Sequence, residues 1–334
     1  MPTPTATVPL QIGIVGFGRM GSFHLERLSL REDCQTVAAF DSQLEKADYA
    51  RSFGCRIHER WNDFLDDDEI EVVLIATPPE SHARLAIEAL RVAKHVVVEK
   101  PLCLSVAEAD SMINAARGAK RTLSVIHSRR WDENFAAAAQ TLQSGQIGHL
   151  HAVKLVIWEF GISAHANSVQ DGWRSDWRRG GGLLYEFGAH YFDQLLQLVK
   201  SPIESVYARV CGIADGLPDS ERAFLAIINF TNGVQAHIEV NLSSPAPVNS
   251  GWLLTGTNGG FCNGRQYLLE DDGEIYSSPV ELPQGGIDRY YESLVGHLRS
   301  EGDVPIPAEE GRRVIELIET ARKSAATSKV VVVS

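Results

Sequence analysis

The chain has 334 residues, enough for two domains, and its 44% hydrophobic and 22% charged content excludes a disordered, collagen-like or coiled-coil protein. Lys and Arg number 31 against 43 Asp and Glu, a net charge of −12, so the surface repels phosphate backbones and anionic lipid; neither nucleic acid nor a membrane is an expected partner. Five scattered cysteines (Cys34, Cys55, Cys103, Cys211, Cys262) without a C-x-x-C pair predict neither a disulfide framework nor a zinc cluster, and fit a reducing, cytoplasmic setting.

The first ten residues lack a basic n-region and a long apolar h-region, and read as a polar tail rather than a signal peptide. No apolar run approaches the ~20 residues that a membrane-spanning helix needs. Short apolar runs then alternate with helical patterns. Residues 11–15, 36–40, 72–76, 95–99 and 123–127 predict strands buried on both faces. Between the third and fourth, Ser81 to Val92 places Ala83, Ala86, Ile87 and Leu90 on one helical face. Strands and helices at this spacing predict a doubly wound parallel sheet.

The pattern changes after about residue 130. A helix over 133–144 leads to a strand near 151–160, a polar Trp- and Gly-rich stretch to Gly182, and a helix over 183–199. From Ile203 to Ile275 the period is two. Val234, Ala236, Ile238, Val240 and Leu242 share one face of a strand, and Gln235, His237, Glu239 and Asn241 share the other. Thr231-Asn232-Gly233-Val234 marks a tight hairpin. Helices near 288–299 and 308–324 and a short strand close the chain. The expected fold is α/β: an N-terminal Rossmann domain (8–130) with a doubly wound parallel sheet, and a C-terminal α+β domain (131–334) with a large, mostly antiparallel open sheet. The first binds the dinucleotide, the second the substrate, and the open face predicts a homodimer or homotetramer.

Gly16-Phe17-Gly18-Arg19-Met20-Gly21 follows the first strand and opens a helix. In such a G-x-G-x-x-G the first glycine permits the tight turn, the second lets the backbone approach a pyrophosphate, and the third allows close helix–strand packing. The helix N-terminus offers N–H groups and a positive dipole end to the phosphates. Asp41 ends the second strand 20 residues after Gly21, where it accepts hydrogen bonds from ribose hydroxyls and repels a 2′-phosphate. NAD is therefore expected in preference to NADP.

Two further segments stand at the ends of later strands: Thr77-Pro78-Pro79-Glu80-Ser81-His82 and Glu99-Lys100-Pro101. In the second half, Gly180-Gly181-Gly182-Leu183-Leu184-Tyr185-Glu186-Phe187-Gly188-Ala189-His190 opens a helix. Together with the glycine fingerprint and His24 after it, these resemble the Gfo/Idh/MocA family, the glucose–fructose oxidoreductases, inositol dehydrogenases and relatives. The resemblance covers nearly the whole chain. Ser128 to Asp132, Trp173-Arg174 and Leu184-Tyr185 are most similar to the scyllo-inositol dehydrogenase-like members.

The resemblance implies an oxidoreductase that interconverts a secondary alcohol and a ketone on a sugar, cyclitol or related polyol. It makes Lys100 the catalytic lysine, with Pro101 in a cis bond, and His190 a catalytic or substrate-binding histidine. Glu186 stands where the family commonly has Asp, and is expected to contact substrate, relay a proton or orient His190. Thr77, Pro78, His82, Glu99 and Lys100 are implied to lie along the cofactor with the glycine loop, and Arg129 and Trp173 along the substrate; Arg130 is expected to be structural. Asp193 reads equally as a pocket or a surface carboxylate, and Trp177 as a sugar platform or core. His151, His165 and the other isolated histidines have no metal-ligand spacing, so no metal is expected. Specificity is expected in the loops 161–179 and 243–251. A redox-neutral lyase or glycosidase using tightly held NAD, and a non-catalytic NAD-binding sensor, remain open alternatives.

Overall fold

A computed structural model describes residues 8–160, 172–212, 221–281, 285–299 and 302–333. The chain forms two units: residues 1–126 with 288–312, and residues 127–287 with 313–334. His165 and most of the 161–179 loop lie outside the described residues.

In the first unit, six parallel strands run in the order β3-β2-β1-β4-β5-β6. They are β1 (Leu10–Val15), β2 (Cys34–Phe40), β3 (Arg56–Ile57), β4 (Val72–Ile75), β5 (His95–Glu99) and β6 (Leu123–Ile126). Every residue of β4 and β6 is buried, as a sheet covered by helices on both faces requires. The helix His82–Arg91 buries Ala83, Leu85, Ala86, Ala89 and Leu90, close to the expected face. Strand β3 was not foreseen, because two residues carry no periodicity.

The segment 288–312 departs from the expected division, which gave all of 131–334 to the second domain. It belongs to the first unit, where it completes the sheet edge at β6. Val125 N–H donates to the Ile306 carbonyl at 3.1 Å, and the Ser124 hydroxyl donates to the same carbonyl at 2.8 Å. The Tyr290 hydroxyl donates to Ser124 Oγ at 2.8 Å, and Arg312 Nε reaches Asp110 at 2.6 Å. Helical periodicity shows which face of a segment is apolar, but not which sheet that face covers.

In the second unit, nine strands run in the order β14-β13-β12-β11-β7-β10-β9-β8-β15. They are β7 (Leu150–Phe160), β8 (Ile203–Gly212), β9 (Glu221–Phe230), β10 (Gln235–Asn241), β11 (Ser243–Gly256), β12 (Gly259–Cys262), β13 (Arg265–Leu269), β14 (Ile275–Pro279) and β15 (Val331–Val332). Of the neighbouring pairs, β7 with β10 is parallel and the others are antiparallel. The alternation in β10 holds: Ala236, Ile238 and Val240 are buried and Gln235 is exposed. Gly233, at φ +85°, closes the β9–β10 hairpin. Two helices cover the apolar face. Phe192, on the helix Ala189–Leu198, packs edge-on against Phe224, and Phe135, on Glu133–Gln143, packs against Trp252.

One local expectation is corrected and one is refined. Residues 243–251 form the first part of strand β11, with register shifts against β7, rather than a loop. Their Ser, Pro, Asn and Gly content reads as a turn, yet a bulged strand accommodates the same residues. The expected helix over 183–199 forms without a break from 183 to 198, with a π-helical turn, Leu184–Gly188, ahead of the α-helix Ala189–Leu198.

Candidate active site

The glycine loop leaves β1 as a backbone structure that tolerates few side chains. Gly16 has φ +90°, and a Cβ there would lie 2.8 Å from the Thr77 nitrogen. A Cβ on Gly21 would lie 1.8 Å from the Gly16 carbonyl oxygen. Gly18 is different: it is exposed, and a Cβ there would meet nothing within 4 Å. The helix Arg19–Leu28 starts beside this open space with no side-chain cap and no acidic residue in its first turn. Its leading N–H groups and dipole therefore remain available for an anion, and the loop fits a dinucleotide pyrophosphate. Phe17 is buried, Met20 half-buried and Arg19 exposed, so backbone rather than side chains shapes the cradle.

Asp41, at the end of β2, binds this loop directly. Its Oδ2 accepts the Phe17 N–H at 2.7 Å, and its Oδ1 accepts the Gln43 N–H at 2.8 Å. Each oxygen keeps a further lone pair for a ribose hydroxyl. The native chain is expected to bind NADH at least about tenfold more tightly than NADPH, or ~1.4 kcal/mol, when both are titrated by calorimetry. Tighter NADPH binding would contradict this role of Asp41.

At the sheet edge, Lys100 follows β5 and its bond to Pro101 is cis, as expected. Lys100 is half-buried at the carboxyl end of a parallel strand, the edge where open α/β sheets hold ligands. Glu99 and His82 were expected to lie along the cofactor, but both are buried and engage the protein itself. Glu99 Oε2 accepts the Lys100 backbone N–H at 2.9 Å, and Oε1 lies 2.8 Å from His24 Nε2. Burial opposes charge on Glu99, but His24 and Lys100 outweigh it and hold the carboxyl below its usual range. His82 Nδ1 and Nε2 each lie 2.9 Å from a backbone carbonyl, of Pro101 and Thr77 respectively. Burial lowers the His82 pKa and favours the neutral ring, which has one N–H and so donates to one of these two carbonyls. Pro78 has φ −58°, and the Thr77 hydroxyl pairs with Ser81 Oγ at 2.6 Å.

In the second unit, Arg129 lies 5.8 and 5.7 Å from the ring centres of Phe187 and Tyr191 and donates to the Tyr191 hydroxyl at 3.1 Å. Arg130 forks onto Asp193 at 2.8 and 2.5 Å. Asp193 is thus engaged by an internal ion pair, and Arg130 has the structural part expected of it. Glu186 lies in the π-helical turn and His190, four residues on, in the α-helix that follows. A four-residue spacing falls close to one full turn in π- and α-helical geometry alike, and Glu186 and His190 are both half-buried while the three residues between them are buried, as two residues near one helical face would be. Glu186 Oε1 accepts from Arg174 Nε at 3.1 Å, and the Arg174 guanidinium lies 4.4 Å above the Trp173 ring. Trp177 carries the Arg322 guanidinium at 4.5 Å, which assigns it to packing within its unit. Among the described residues, no group of three or more His, Cys, Asp or Glu is placed to hold a metal ion.

A parallel sheet in this strand order, with the glycine fingerprint at the end of β1, defines a dinucleotide-binding protein. Residues 10–127 match the family model described as oxidoreductase family, NAD-binding Rossmann fold, and residues 135–262 match the GFO/IDH/MocA C-terminal domain. The chain belongs to the Gfo/Idh/MocA family of NAD-binding oxidoreductases. It is similar to the uncharacterized oxidoreductase YdgJ of Escherichia coli, 24% identical over 95% of this chain and 96% of that one. It is also similar to scyllo-inositol 2-dehydrogenase (NADP(+)) IolW of Bacillus subtilis, 25% identical over 94% and 93%. Among solved structures, an NAD-binding protein from Listeria innocua superposes with a TM-score of 0.87 at 27% identity, covering 97% of this chain and 99% of that one.

Sequence reasoning missed one residue of this neighbourhood. Tyr291, on the helix Ile287–Leu298, lies 2.5 Å from His24 Nδ1 through its hydroxyl. In sequence, Tyr290-Tyr291 reads only as an aromatic pair on an amphipathic helix, and nothing in it points to a partner 267 residues away.

Proposed function

We propose that this oxidoreductase interconverts a secondary alcohol and a ketone on a sugar, cyclitol or related polyol, with Lys100 as acid/base and His190 positioning or relaying the proton. The observation that carries this reading is Lys100 itself: an amine at the ligand-binding edge of the sheet, immediately after a buried carboxylate. Bound NAD supplies the hydride acceptor. As the carbinol carbon loses hydride, its oxygen must lose a proton, and the neutral Lys100 amine takes it; in the reverse direction the ammonium returns it. In this reading Arg129, Trp173 and Glu186 bind substrate. Glu186 does so through Arg174, which it holds over one face of Trp173, where the guanidinium is placed to donate to a substrate hydroxyl. The Bacillus relative's name, a cyclitol dehydrogenase, supports the substrate class.

Two further parts of the proposal are self-association through the open face of the nine-stranded sheet and a cytoplasmic setting. No disulfide joins any of the five cysteines, and burial pushes the Cys34 thiol up to about 12 and Cys55 to about 11, so both stay protonated and inert. No helix among the described residues is long and apolar enough to cross a membrane. The test is NAD reduction followed by absorbance against a panel of inositols, aldoses and linear polyols. Reduction by at least one of these is expected. Substrate conversion with no net change in NAD would overturn the dehydrogenase reading in favour of redox-neutral chemistry.

A further inference from the structure

Behind Lys100, the first unit buries a line of polar side chains that the proposed reaction does not use. Tyr291 Oη lies 2.5 Å from His24 Nδ1, and His24 Nε2 lies 2.8 Å from Glu99 Oε1. Glu99 Oε2 accepts the Lys100 N–H at 2.9 Å. His24 is 0% exposed, Tyr291 1% and Glu99 6%. Buried polar groups are costly unless partnered, and here the partners are arranged so that each donor meets an acceptor. A His24 ring carrying its proton on Nε2 donates to the ionised Glu99 and accepts from the Tyr291 hydroxyl at Nδ1. Burial pushes the Tyr291 phenol far above its ordinary range, so it keeps the proton that it donates.

We propose that Tyr291, His24 and Glu99 are positioning residues for Lys100: their chain locks the Glu99 carboxylate as an anion at the Lys100 backbone, and that anion sets the pH at which the Lys100 amine gives up its proton. This rests on the reading of Lys100 as acid/base. The charged and titratable groups facing Glu99 come from four places. His24 lies on the helix Arg19–Leu28, His82 on His82–Arg91, Tyr290 and Tyr291 on Ile287–Leu298, and Lys100 on the strand end itself. Burial keeps His82 and both tyrosines uncharged, which leaves Glu99 as the fixed negative charge beside Lys100. An adjacent anion favours the ammonium, so its removal lowers the pH at which Lys100 deprotonates.

The test reads Lys100 directly in the full chain. Trace acetic anhydride labels amines only in their neutral form; the label on the Lys100 peptide, measured by mass spectrometry across pH, gives its titration midpoint. Glu99→Gln is expected to lower that midpoint by about one unit. Tyr291→Phe keeps the ring and loses one hydroxyl; it is expected to shift the midpoint in the same direction by about half a unit, and it carries the test if Glu99→Gln does not fold. A merely structural contact would lower thermal stability and leave the midpoint in place. An unmoved or raised midpoint in a folded variant, beside an inactive Lys100→Met, overturns this inference alone. Full turnover by Lys100→Met overturns the catalytic reading instead, whatever the midpoint does.

Discussion

Lys100→Met is expected to lose turnover by about 10²–10⁴-fold, the range that a positioned acid/base contributes, while NAD binding persists. Methionine has nearly the length of the lysine stem and removes only the amine. The backbone N–H that donates to Glu99 is unchanged, so the turn into the Pro101 peptide keeps its anchor. Asp41 is held by the Phe17 and Gln43 backbone N–H groups, so its place at the glycine loop has an anchor of its own. Turnover is read by NAD reduction and binding by calorimetric titration. Undiminished turnover would remove Lys100 from the chemistry; lost binding would give it a cofactor-holding part instead.

Paired substitutions in the glycine loop separate folding from binding. At Gly21 an added Cβ would sit 1.8 Å from the Gly16 carbonyl, a backbone atom with no rotamer to escape by. Helix and loop must then move apart by more than an ångström, which disturbs the Gly16–Thr77 approach and the Phe17–Asp41 hydrogen bond. Gly21→Ala is therefore expected to cost about 1–3 kcal/mol of stability, as overpacked sites do, and to weaken NAD by at least about tenfold. At Gly18 the same methyl enters open space, with the backbone at φ −76°. Gly18→Ala is expected to leave the thermal midpoint near the native value and still weaken NAD, because its methyl occupies the path of the pyrophosphate. Equal losses of stability in the two variants would show that Gly18 serves the fold and not the ligand.

The legible parts of the molecule are those whose signals are local. Strand β4 is the apolar run Val-Val-Leu-Ile after Glu71, and the glycine fingerprint lies within six residues of its strand, so neither needs a distant partner to be recognised. The unread parts depend on long-range pairing or on subtle backbone geometry. Nothing in Ile306-Pro307 announces that it pairs with β6. The i to i+5 turn at Leu184–Gly188 has the composition of an ordinary helix, so the sequence shows the helix but not the local change in its hydrogen bonding. Glu186 shows the same limit in the site: its difference from the family's Asp is visible in sequence, whereas its engagement with Arg174 is not.

The return of residues 288–312 to the first unit bears on how this enzyme can be dissected. The chain crosses between its two units three times, after residues 126, 287 and 312. A fragment ending near residue 130 would lack Tyr291 behind Lys100 and would leave the edge of β6 bare, a template for strand-to-strand aggregation. The cofactor half is therefore not a detachable cassette but a host split by an insertion. A chimaera with new specificity would exchange the insert 127–287 together with the tail from 313, and leave the bridging segment with its host.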